Sequence, residues 1–271
     1  MPEARPSPVT VPVVRASKRR SGHEALVMVT AYDAPGARLA DAAGVDIILV
    51  GDSVGNTVLG YENSLQVTVE DMAHHTAAVA RAKPRPLIVA DLPWMSYHLD
   101  PVDTVRNAAV LIRAGAQAVK LEGGANRVPM IEALVSAEIP VMGHLGLTPQ
   151  SVHVMGGFRV QGKDDAAAHA LELGAKSVQA AGCFAVVLEG VPERVGRAIT
   201  DSLDVPTIGI GAGPDCDGQV LVFHDLLGFN DRVPKFVRRY AELGEAATDA
   251  LARYAADVRS GAFPSDAETY H

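Results

Sequence analysis

Short apolar runs alternate with longer amphipathic stretches along most of the chain. The apolar runs have no helical period and are bounded by turn residues, as is typical of strands buried on both faces of a parallel sheet. The stretches between them are long enough for helices. Eight strands are therefore predicted, over Leu26–Asp33, Asp46–Asp52, Leu87–Asp91, Ala118–Glu122, Pro140–Leu145, Phe184–Glu189, Pro206–Ile210 and Val220–His224.

Start signals support helices between these strands. Thr68, with Asp71 three residues later, is a shortened form of the capping box. Asp100 precedes Pro101, a typical N-cap and first helical residue. Alternating strands and helices require a parallel sheet, and a closed (β/α)8 TIM barrel accommodates eight such units in ~250 residues. An open doubly wound sheet is the alternative, but it normally carries a glycine-rich fingerprint after its first strand.

The same pattern divides the chain into two parts. Residues 1–20, which include three prolines in the first ten positions, are predicted as an N-terminal tail and short helix peripheral to the fold. Residues 21–271 are predicted as a single barrel domain, with a C-terminal helix over residues 234–259. A chain of 271 residues is long enough to bury a sizeable core.

Three of the predicted strands end in a carboxylic acid, namely Asp52, Asp91 and Glu122. In parallel α/β proteins, catalytic groups sit at this end of the strands. A single acid there more often caps a helix or a turn, whereas three acids on neighbouring strands at matching depth favour a site. Alternation along each strand predicts inward-facing pairs. These pairs are Val50 with Asp52, Val89 with Asp91, Lys120 with Glu122, Met142 with His144, and Val187 with Glu189.

The three acids predict a metal site. Carboxylates on strands ~4.8 Å apart repel one another by a few kcal/mol per pair at the effective dielectric constant of a protein. A divalent cation removes this repulsion, and oxygen ligands without histidine or cysteine favour Mg²⁺ over Zn²⁺. Asp52, Asp91 and Glu122 are therefore the predicted magnesium ligands.

Other polar residues at the same strand ends have two interpretations each. Lys120 either forms a salt bridge with a neighbouring acid or binds a ligand, and Glu189 either caps the next helix or acts in catalysis. His144 is either a core histidine with satisfied hydrogen bonds or an active-site group. The glycine-rich loop Gly209–Gly213 follows strand seven, where barrels often bind phosphate, but a tight turn explains it equally well.

Composition narrows the classes of function. The net charge of -8 argues against a nucleic-acid-binding surface, which needs a basic face. Cys183 and Cys216 form neither a zinc motif nor a disulfide scaffold, so a reducing cytoplasm is expected. No apolar run approaches the ~18 residues of a membrane span, and the basic N-terminus lacks the apolar segment of a signal peptide.

Nine short segments, in chain order, resemble those of one enzyme family. They are V-T-A-Y-D (29–33), V-G-D-S-V-G (50–55), M-A-H-H-T (72–76), A-D-L-P (90–93), V-K-L-E-G-G (119–124), G-H-L-G-L-T-P-Q (143–150), V-L-E-G-V-P (187–192), I-G-I-G-A-G (208–213) and H-D-L-L-G (224–228). Together they resemble ketopantoate hydroxymethyltransferases, also called 3-methyl-2-oxobutanoate hydroxymethyltransferases, from Leu26 onward. The resemblance implies a (β/α)8 barrel of the phosphoenolpyruvate/pyruvate-type superfamily, and the first ~20 residues are expected to lie outside it.

The resemblance also implies a reaction. It is the transfer of a hydroxymethyl group from 5,10-methylenetetrahydrofolate to 3-methyl-2-oxobutanoate through a Mg²⁺-stabilised enolate, giving 2-dehydropantoate for pantothenate and coenzyme A synthesis. By resemblance, Asp52, Asp91 and Glu122 hold Mg²⁺, and Ser53 and Lys120 bind the substrate. Glu189 is the implied base at C3, and His144 is a weaker candidate for binding substrate or handling a proton.

The resemblance further implies a homodecamer, built as a pentamer of dimers. Two alternative classes remain open at this point. One is a Mg²⁺-dependent C–C lyase of the phosphoenolpyruvate mutase and isocitrate lyase kind, but those enzymes use a cysteine-bearing loop that Cys183 and Cys216 do not match. The other is a non-enzymatic binding protein, which would have no reason to collect four acids and a lysine at one mouth of the barrel.

Overall fold

The computed structural model describes residues 7–19, 22–230 and 232–271, and its eight strands form one closed parallel barrel in sequence order. The strands are β1 Leu26–Thr30, β2 Ile47–Val50, β3 Leu87–Asp91, β4 Ala118–Glu122, β5 Val141–Gly146, β6 Ala185–Glu189, β7 Thr207–Ile210 and β8 Gly218–Leu221. Each strand pairs with the next, and β1 pairs with β8 to close the ring. The prediction of a (β/α)8 barrel is confirmed.

Helices follow the strands and carry the predicted caps. They are α1 Val11–Ala16, α2 Ala34–Ala42, α3 Val54–Thr57, α4 Val69–Arg81, α5 Pro101–Ala114, α6 Val128–Ser136, α7 Val152–Met155, α8 Asp165–Ala180 and α9 Glu193–Ser202. Thr68 and Asp71 form a complete capping box at the start of α4, because each side chain accepts from the backbone N–H of the other residue. Asp100 caps α5 by accepting from the Asp103 N–H.

The barrel interior is an apolar core whose composition tests the predicted strand alternation. Val89 and Val187 belong to this core, in agreement with the predicted pairing with Asp91 and Glu189. On β2, however, the core residues are Ile47 and Leu49, so Val50 faces the opposite side. The predicted pairing of Val50 with Asp52 is therefore wrong. β2 ends at Val50, and alternation does not extend through the turn that carries Asp52.

The N-terminal segment packs at the end of the barrel where the strands begin. Val9 and Val14 are members of the interior core. The buried Lys18 Nζ lies 2.7 Å from Asp217 Oδ2, and that carboxylate also accepts from the Thr207 N–H. The expectation that the first ~20 residues are peripheral is wrong for this segment, because the side chains of Val9, Val14 and Lys18 are buried. Residues 1–6 lie outside the part of the chain that the structure describes.

Phe223–His271 forms a second compact unit. Its helices are α10 Phe223–Leu226 and α11 Leu243–Ser260. The predicted strand over Val220–His224 is wrong at its end, because His224 lies in α10. The predicted helix over residues 234–259 begins too early. Backbone hydrogen bonds from Leu243 N to Leu227 O and from Gly244 N to Gly228 O hold the preceding chain against α10.

Within the described residues, no helix combines the length and the apolar composition that crossing a bilayer requires.

Candidate active site at the C-terminal mouth of the barrel

The predicted polar residues meet at one end of the barrel. Five of them lie in the C-terminal halves of β3 to β6, namely Asp91, Lys120, Glu122, His144 and Glu189. Asp52 lies in the turn after β2. Strand register places Asp91 beside Lys120 and Glu122 beside His144. Asp52, Asp91, Lys120, Glu122 and His144 are each 5% exposed or less. The site is therefore a buried cluster of charges, which a protein retains only where those charges are paired or bind a ligand.

Asp52 and Asp91 are directly linked. The Asp52 backbone N–H donates to Asp91 Oδ2 at 3.0 Å. The residue between β2 and this turn is Gly51, where a Cβ atom would lie 2.8 Å from Ser53 Oγ and 3.5 Å from Asp91 Oδ2. A side chain at position 51 would therefore displace the Ser53 hydroxyl from its present position.

The cluster has more negative than positive charge. Lys120 Nζ lies 3.0 Å from Asp91 Oδ1. Burial lowers the pKa of Lys120, but attraction to Asp91, Glu122 and Asp52 outweighs burial and raises it, so the ammonium is retained. Burial raises the pKa of Asp52 well above its ordinary value, and repulsion by Asp91 and Glu122 raises it further. The acids therefore need more positive charge than one lysine supplies.

The predicted ligand set fits a hard cation in its chemistry. Asp52, Asp91 and Glu122 offer only carboxylate oxygens, which Mg²⁺ prefers. Among the residues that the structure describes, no group of three or more His, Cys, Asp or Glu side chains is arranged to hold a metal ion as it stands. Asp52 and Asp91 are linked, whereas Glu122 Oε2 accepts from the Gln150 N–H at 3.0 Å. The role of the three acids as metal ligands stays a prediction.

His144 lies between two acids. Its Nε2 is 3.2 Å from Glu189 Oε2, and its Nδ1 is 3.5 Å from Glu122 Oε1 and 3.2 Å from Lys120 Nζ. Burial and the Lys120 ammonium lower the pKa of His144, but hydrogen bonds with Glu122 and Glu189 outweigh them and raise it to about 9. His144 is therefore at ion-pair distance from both acids and is not an isolated core histidine.

Ser53 is positioned by Tyr32, which follows the end of the neighbouring strand β1. The Tyr32 hydroxyl lies 2.8 Å from Ser53 Oγ, just after the end of β1. The chain of Tyr32 is itself fixed by His75 of α4, whose Nδ1 lies 2.7 Å from the Tyr32 carbonyl oxygen. Burial raises the pKa of Tyr32, so its phenol keeps its proton. Ser53 is half-buried beside Asp52, at the rim of the charged cluster.

The cluster includes two further residues, Gln150 and Tyr97, which were not predicted from the sequence. Gln150, in the 3-10 turn Pro149–Ser151, contacts Asp52, and Tyr97 contacts Gln150. Gln150 had a weak signal, since it is a polar residue in the loop that follows strand five. Tyr97 had none, because a tyrosine in a long loop is usually a packing residue.

The glycine-rich loop Gly209–Gly213 is a tight turn that packs against α9. Gly211 and Gly213 have φ angles of 63° and 86°, which favour glycine. A Cβ atom at Gly213 would lie 2.7 Å from the Glu193 side chain, and one at Gly196 of α9 would lie 2.3 Å from the Ala212 carbonyl oxygen. Turn geometry and close packing explain these glycines.

Comparison with known families gives a match over almost the whole chain. A family model described as ketopantoate hydroxymethyltransferase matches residues 8–266. The 3-methyl-2-oxobutanoate hydroxymethyltransferase 2 of Bradyrhizobium diazoefficiens is 56% identical, over 97% of this chain and 89% of its own. The 3-methyl-2-oxobutanoate hydroxymethyltransferase of Moorella thermoacetica is 55% identical, over 98% of this chain and 99% of its own. The match begins at residue 8, so the expectation that the first ~20 residues lie outside the resemblance is wrong.

Comparison with solved structures gives the same barrel in more distant enzymes. A phosphonopyruvate hydrolase solved with oxalate and Mg²⁺ superposes with a TM-score of 0.63 at 15% identity, covering 96% of this chain and 91% of its own. A 2,3-dimethylmalate lyase of the PEP mutase/isocitrate lyase superfamily superposes with a TM-score of 0.61 at 18% identity, covering 98% and 93%. At these identities the likeness establishes the fold.

Proposed function

Because the chain belongs to the ketopantoate hydroxymethyltransferase family, we propose that it transfers a hydroxymethyl group from 5,10-methylenetetrahydrofolate to 3-methyl-2-oxobutanoate. The product would be 2-dehydropantoate, an intermediate of pantothenate and coenzyme A synthesis. The observation that carries this proposal is the buried group of three acids and Lys120, with a further acid, Glu189, two strands away from Glu122. Such a group suits a 2-oxo acid that must be bound, polarised and deprotonated.

Asp52 and Asp91 would hold Mg²⁺ directly, and Glu122 would hold it either directly or through water. The support is the electrostatics of the site, since repulsion among these acids raises the pKa of Asp52 and a divalent cation would relieve it. Bound by these residues, Mg²⁺ would supply a Lewis acid that polarises the ketone of a 2-oxo acid and stabilises developing negative charge. The hydrogen bond from the Asp52 N–H to Asp91 keeps the two proposed ligands adjacent.

Lys120 and Ser53 would bind the carboxylate and keto oxygens of the substrate. Lys120 is buried and stays charged, so it can pair with an anionic substrate without first losing a hydration shell. The Ser53 hydroxyl is held by Tyr32 at the rim of the cluster. The two groups stand on separate strand ends, so together they would fix the orientation of a small 2-oxo acid.

Glu189 would remove the proton from C3 of the substrate. Its side chain is 15% exposed, in contrast to the more deeply buried acids of β3 and β4. His144 Nε2 lies 3.2 Å from Glu189 Oε2 and would keep the carboxylate oriented for proton transfer. His144 therefore takes an orienting role in this proposal, beside the proton-handling role predicted for it.

A C–C lyase is the alternative that the fold itself allows, but the positions of the cysteines argue against it. Cys183 and Cys216 precede β6 and β8, at the end of the barrel opposite the acids, and both are buried. Burial raises the pKa of Cys183 to about 12, so its thiol is inert. Neither cysteine can serve as the reactive residue of a loop at the active-site mouth.

The test of the proposed function is an assay of 2-dehydropantoate formation from 3-methyl-2-oxobutanoate. We expect turnover that requires both Mg²⁺ and 5,10-methylenetetrahydrofolate, and loss of turnover when either is omitted or when Mg²⁺ is removed with a chelator. Cleavage of a 2-oxo acid by the protein without any folate donor would support the lyase instead. Absence of Mg²⁺ binding by calorimetry would support a non-enzymatic role.

We also propose a homodecamer, a pentamer of dimers, on the basis of family membership. Light scattering is expected to give a mass near ten times the 28.4 kDa of one chain. A monomer at working concentration would refute the proposed assembly and leave the proposed reaction untouched.

A further inference from the structure

Gln150 contacts two of the three acids at once. Its side-chain Nε2 donates to Asp52 Oδ2 at 2.9 Å and to the Leu92 carbonyl oxygen at 3.0 Å. Its backbone N–H donates to Glu122 Oε2 at 3.0 Å. Gln150 is itself 6% exposed, so these hydrogen bonds lie in a protected interior. One residue in the loop after β5 therefore links the end of β4 to the turn after β2.

The side-chain amide of Gln150 has a single possible orientation. The Leu92 carbonyl oxygen can only accept a hydrogen bond, so the Gln150 atom that contacts both it and Asp52 Oδ2 must be the amide nitrogen. The amide oxygen then accepts from the Tyr97 hydroxyl at 2.6 Å. Because the Glu122 N–H donates to the same hydroxyl at 3.2 Å, the hydroxyl hydrogen points to Gln150. Tyr97 is fully buried, and every polar atom of the Gln150 side chain is engaged.

We propose that Gln150 is a positioning residue that keeps Asp52 and Glu122 at the barrel mouth in the metal-free site, so that they are available to a divalent cation, and that Tyr97 acts through Gln150. This inference rests on the proposed function, which makes the two acids metal ligands. Acids crowded in a buried site turn away from one another unless donors hold them. A neutral amide does this without adding a positive charge that would compete with the cation.

Charged and neutral donors are divided among the three acids. Lys120, a full charge, pairs with Asp91 Oδ1 at 3.0 Å. Gln150 supplies neutral donors to one oxygen of Asp52 and one of Glu122. Groups that orient metal ligands in this way typically change metal affinity by ~10–100-fold when they are removed.

The test compares the unaltered protein with Gln150→Met, which keeps the volume, removes the side-chain donor to Asp52 and retains the backbone donor to Glu122. Calorimetry with Mg²⁺ alone is expected to give ~10–100-fold weaker binding. In the assay, the Mg²⁺ concentration for half-maximal rate should rise by the same factor. The rate at saturating Mg²⁺ should stay near that of the unaltered protein. A general loss of structure would instead lower the rate at every Mg²⁺ concentration.

Tyr97→Phe tests the second half of the inference. Removing the hydroxyl frees the Gln150 amide to rotate, so Mg²⁺ binding should weaken in the same direction by a smaller factor. In the double variant, Tyr97→Phe should add less to Gln150→Met than it costs alone, because the part of its effect that passes through the amide is already lost. The Glu122 N–H loses its acceptor in either background. Additive losses would refute the action of Tyr97 through Gln150. If Gln150→Met does not fold, Tyr97→Phe alone carries the test, and unchanged Mg²⁺ affinity in it would overturn the inference.

Thr200→Val is the matched control. Thr200 Oγ1 lies 2.7 Å from Thr207 Oγ1, near the opposite end of the barrel, so the variant loses a buried hydrogen bond without touching the acids. It should lose stability and keep its Mg²⁺ affinity. If the unaltered protein neither binds Mg²⁺ nor forms product, the proposed function fails. If it does both and Gln150→Met binds Mg²⁺ equally well, the proposed role of Gln150 alone is wrong.

Discussion

Replacing Asp52 by asparagine is expected to abolish the response to Mg²⁺ and the activity while the fold survives. The variant keeps the shape of the side chain, and its amide oxygen can still accept from Gln150 Nε2, which now lies 2.9 Å from Asp52 Oδ2. It loses the charge that would bind the cation. Removing several kcal/mol of Lewis-acid stabilisation, at ~1.4 kcal/mol per tenfold in rate, should lower turnover at least ~1,000-fold.

The direction in which this substitution changes the stability of the metal-free protein can also be predicted. The pKa of Asp52 is raised in the folded protein, so above that pKa the ionised side chain costs stability in the absence of metal. This cost is relieved as the pH falls through the raised pKa, and asparagine removes it at every pH. The metal-free variant should therefore melt at or above the temperature of the metal-free unaltered protein at neutral pH. Only the unaltered protein should gain stability with Mg²⁺, by ~2.7 kcal/mol at 100 times its Kd.

Thermal melting with and without Mg²⁺, beside the hydroxymethyltransfer assay, checks both expectations. Asp100→Asn is the matched control, because Asp100 caps α5 and asparagine serves equally well at an N-cap. It should change neither the Mg²⁺ response nor the rate. Near-normal Mg²⁺ affinity in Asp52→Asn would show that Asp52 is not a ligand.

The barrel was predictable because each of its units carries local signals. Buried parallel strands are short apolar runs, and the capping residues Thr68 and Asp100 mark helix starts through bonds to backbone only three residues away. The sequence alone therefore specifies the order of strands and helices, and the handedness of the crossovers follows from it. Eight units and the lack of a glycine-rich fingerprint after the first strand favoured a closed barrel over an open sheet.

The errors in the fold arose where tertiary contacts override a local pattern. Residues 234–242 were predicted as the start of a helix, but α11 begins only at Leu243. The Leu243 N–H donates to the Leu227 carbonyl oxygen. Val14 lies in the short N-terminal helix that was expected to be peripheral, but it is fully buried in the barrel interior. Neither contact leaves a periodic trace in the sequence, because the partner lies far along the chain or on the opposite side of the ring.

The site was partly predictable for the same reason. Acids at strand ends are visible because parallel strands deliver their last residues to one mouth, and His144 and Glu189 were found in that way. Gln150 and Tyr97 lie in loops, whose path is set by packing and not by period. Their contribution depends on side-chain hydrogen bonds over 53 residues of sequence separation, and no pattern within one strand or helix encodes that.

Replacing Glu189 by glutamine is expected to separate proton removal from metal and substrate binding. Enolisation needs metal, substrate and base, and it can be followed without folate as exchange of the C3 proton for deuterium. Glu189 stands on β6, two strands from Glu122 on β4, so the variant should still bind Mg²⁺ and 3-methyl-2-oxobutanoate. Glutamine keeps the shape of the side chain beside His144 Nε2, which lies 3.2 Å from Glu189 Oε2. Only the ability to take a proton is lost.

We expect the C3 proton to exchange at least ~100-fold more slowly in Glu189→Gln, the low end of the effect of losing a general base. Proton NMR of the substrate in D₂O with Mg²⁺ measures the rate, and calorimetry measures binding. Glu193→Gln is the control, because Glu193 is an exposed acid on the helix that follows the same strand, paired with Arg197. Exchange at the normal rate in Glu189→Gln would exclude Glu189 as the base. His144, the neighbour that lies 3.2 Å away, would then be the next residue to replace.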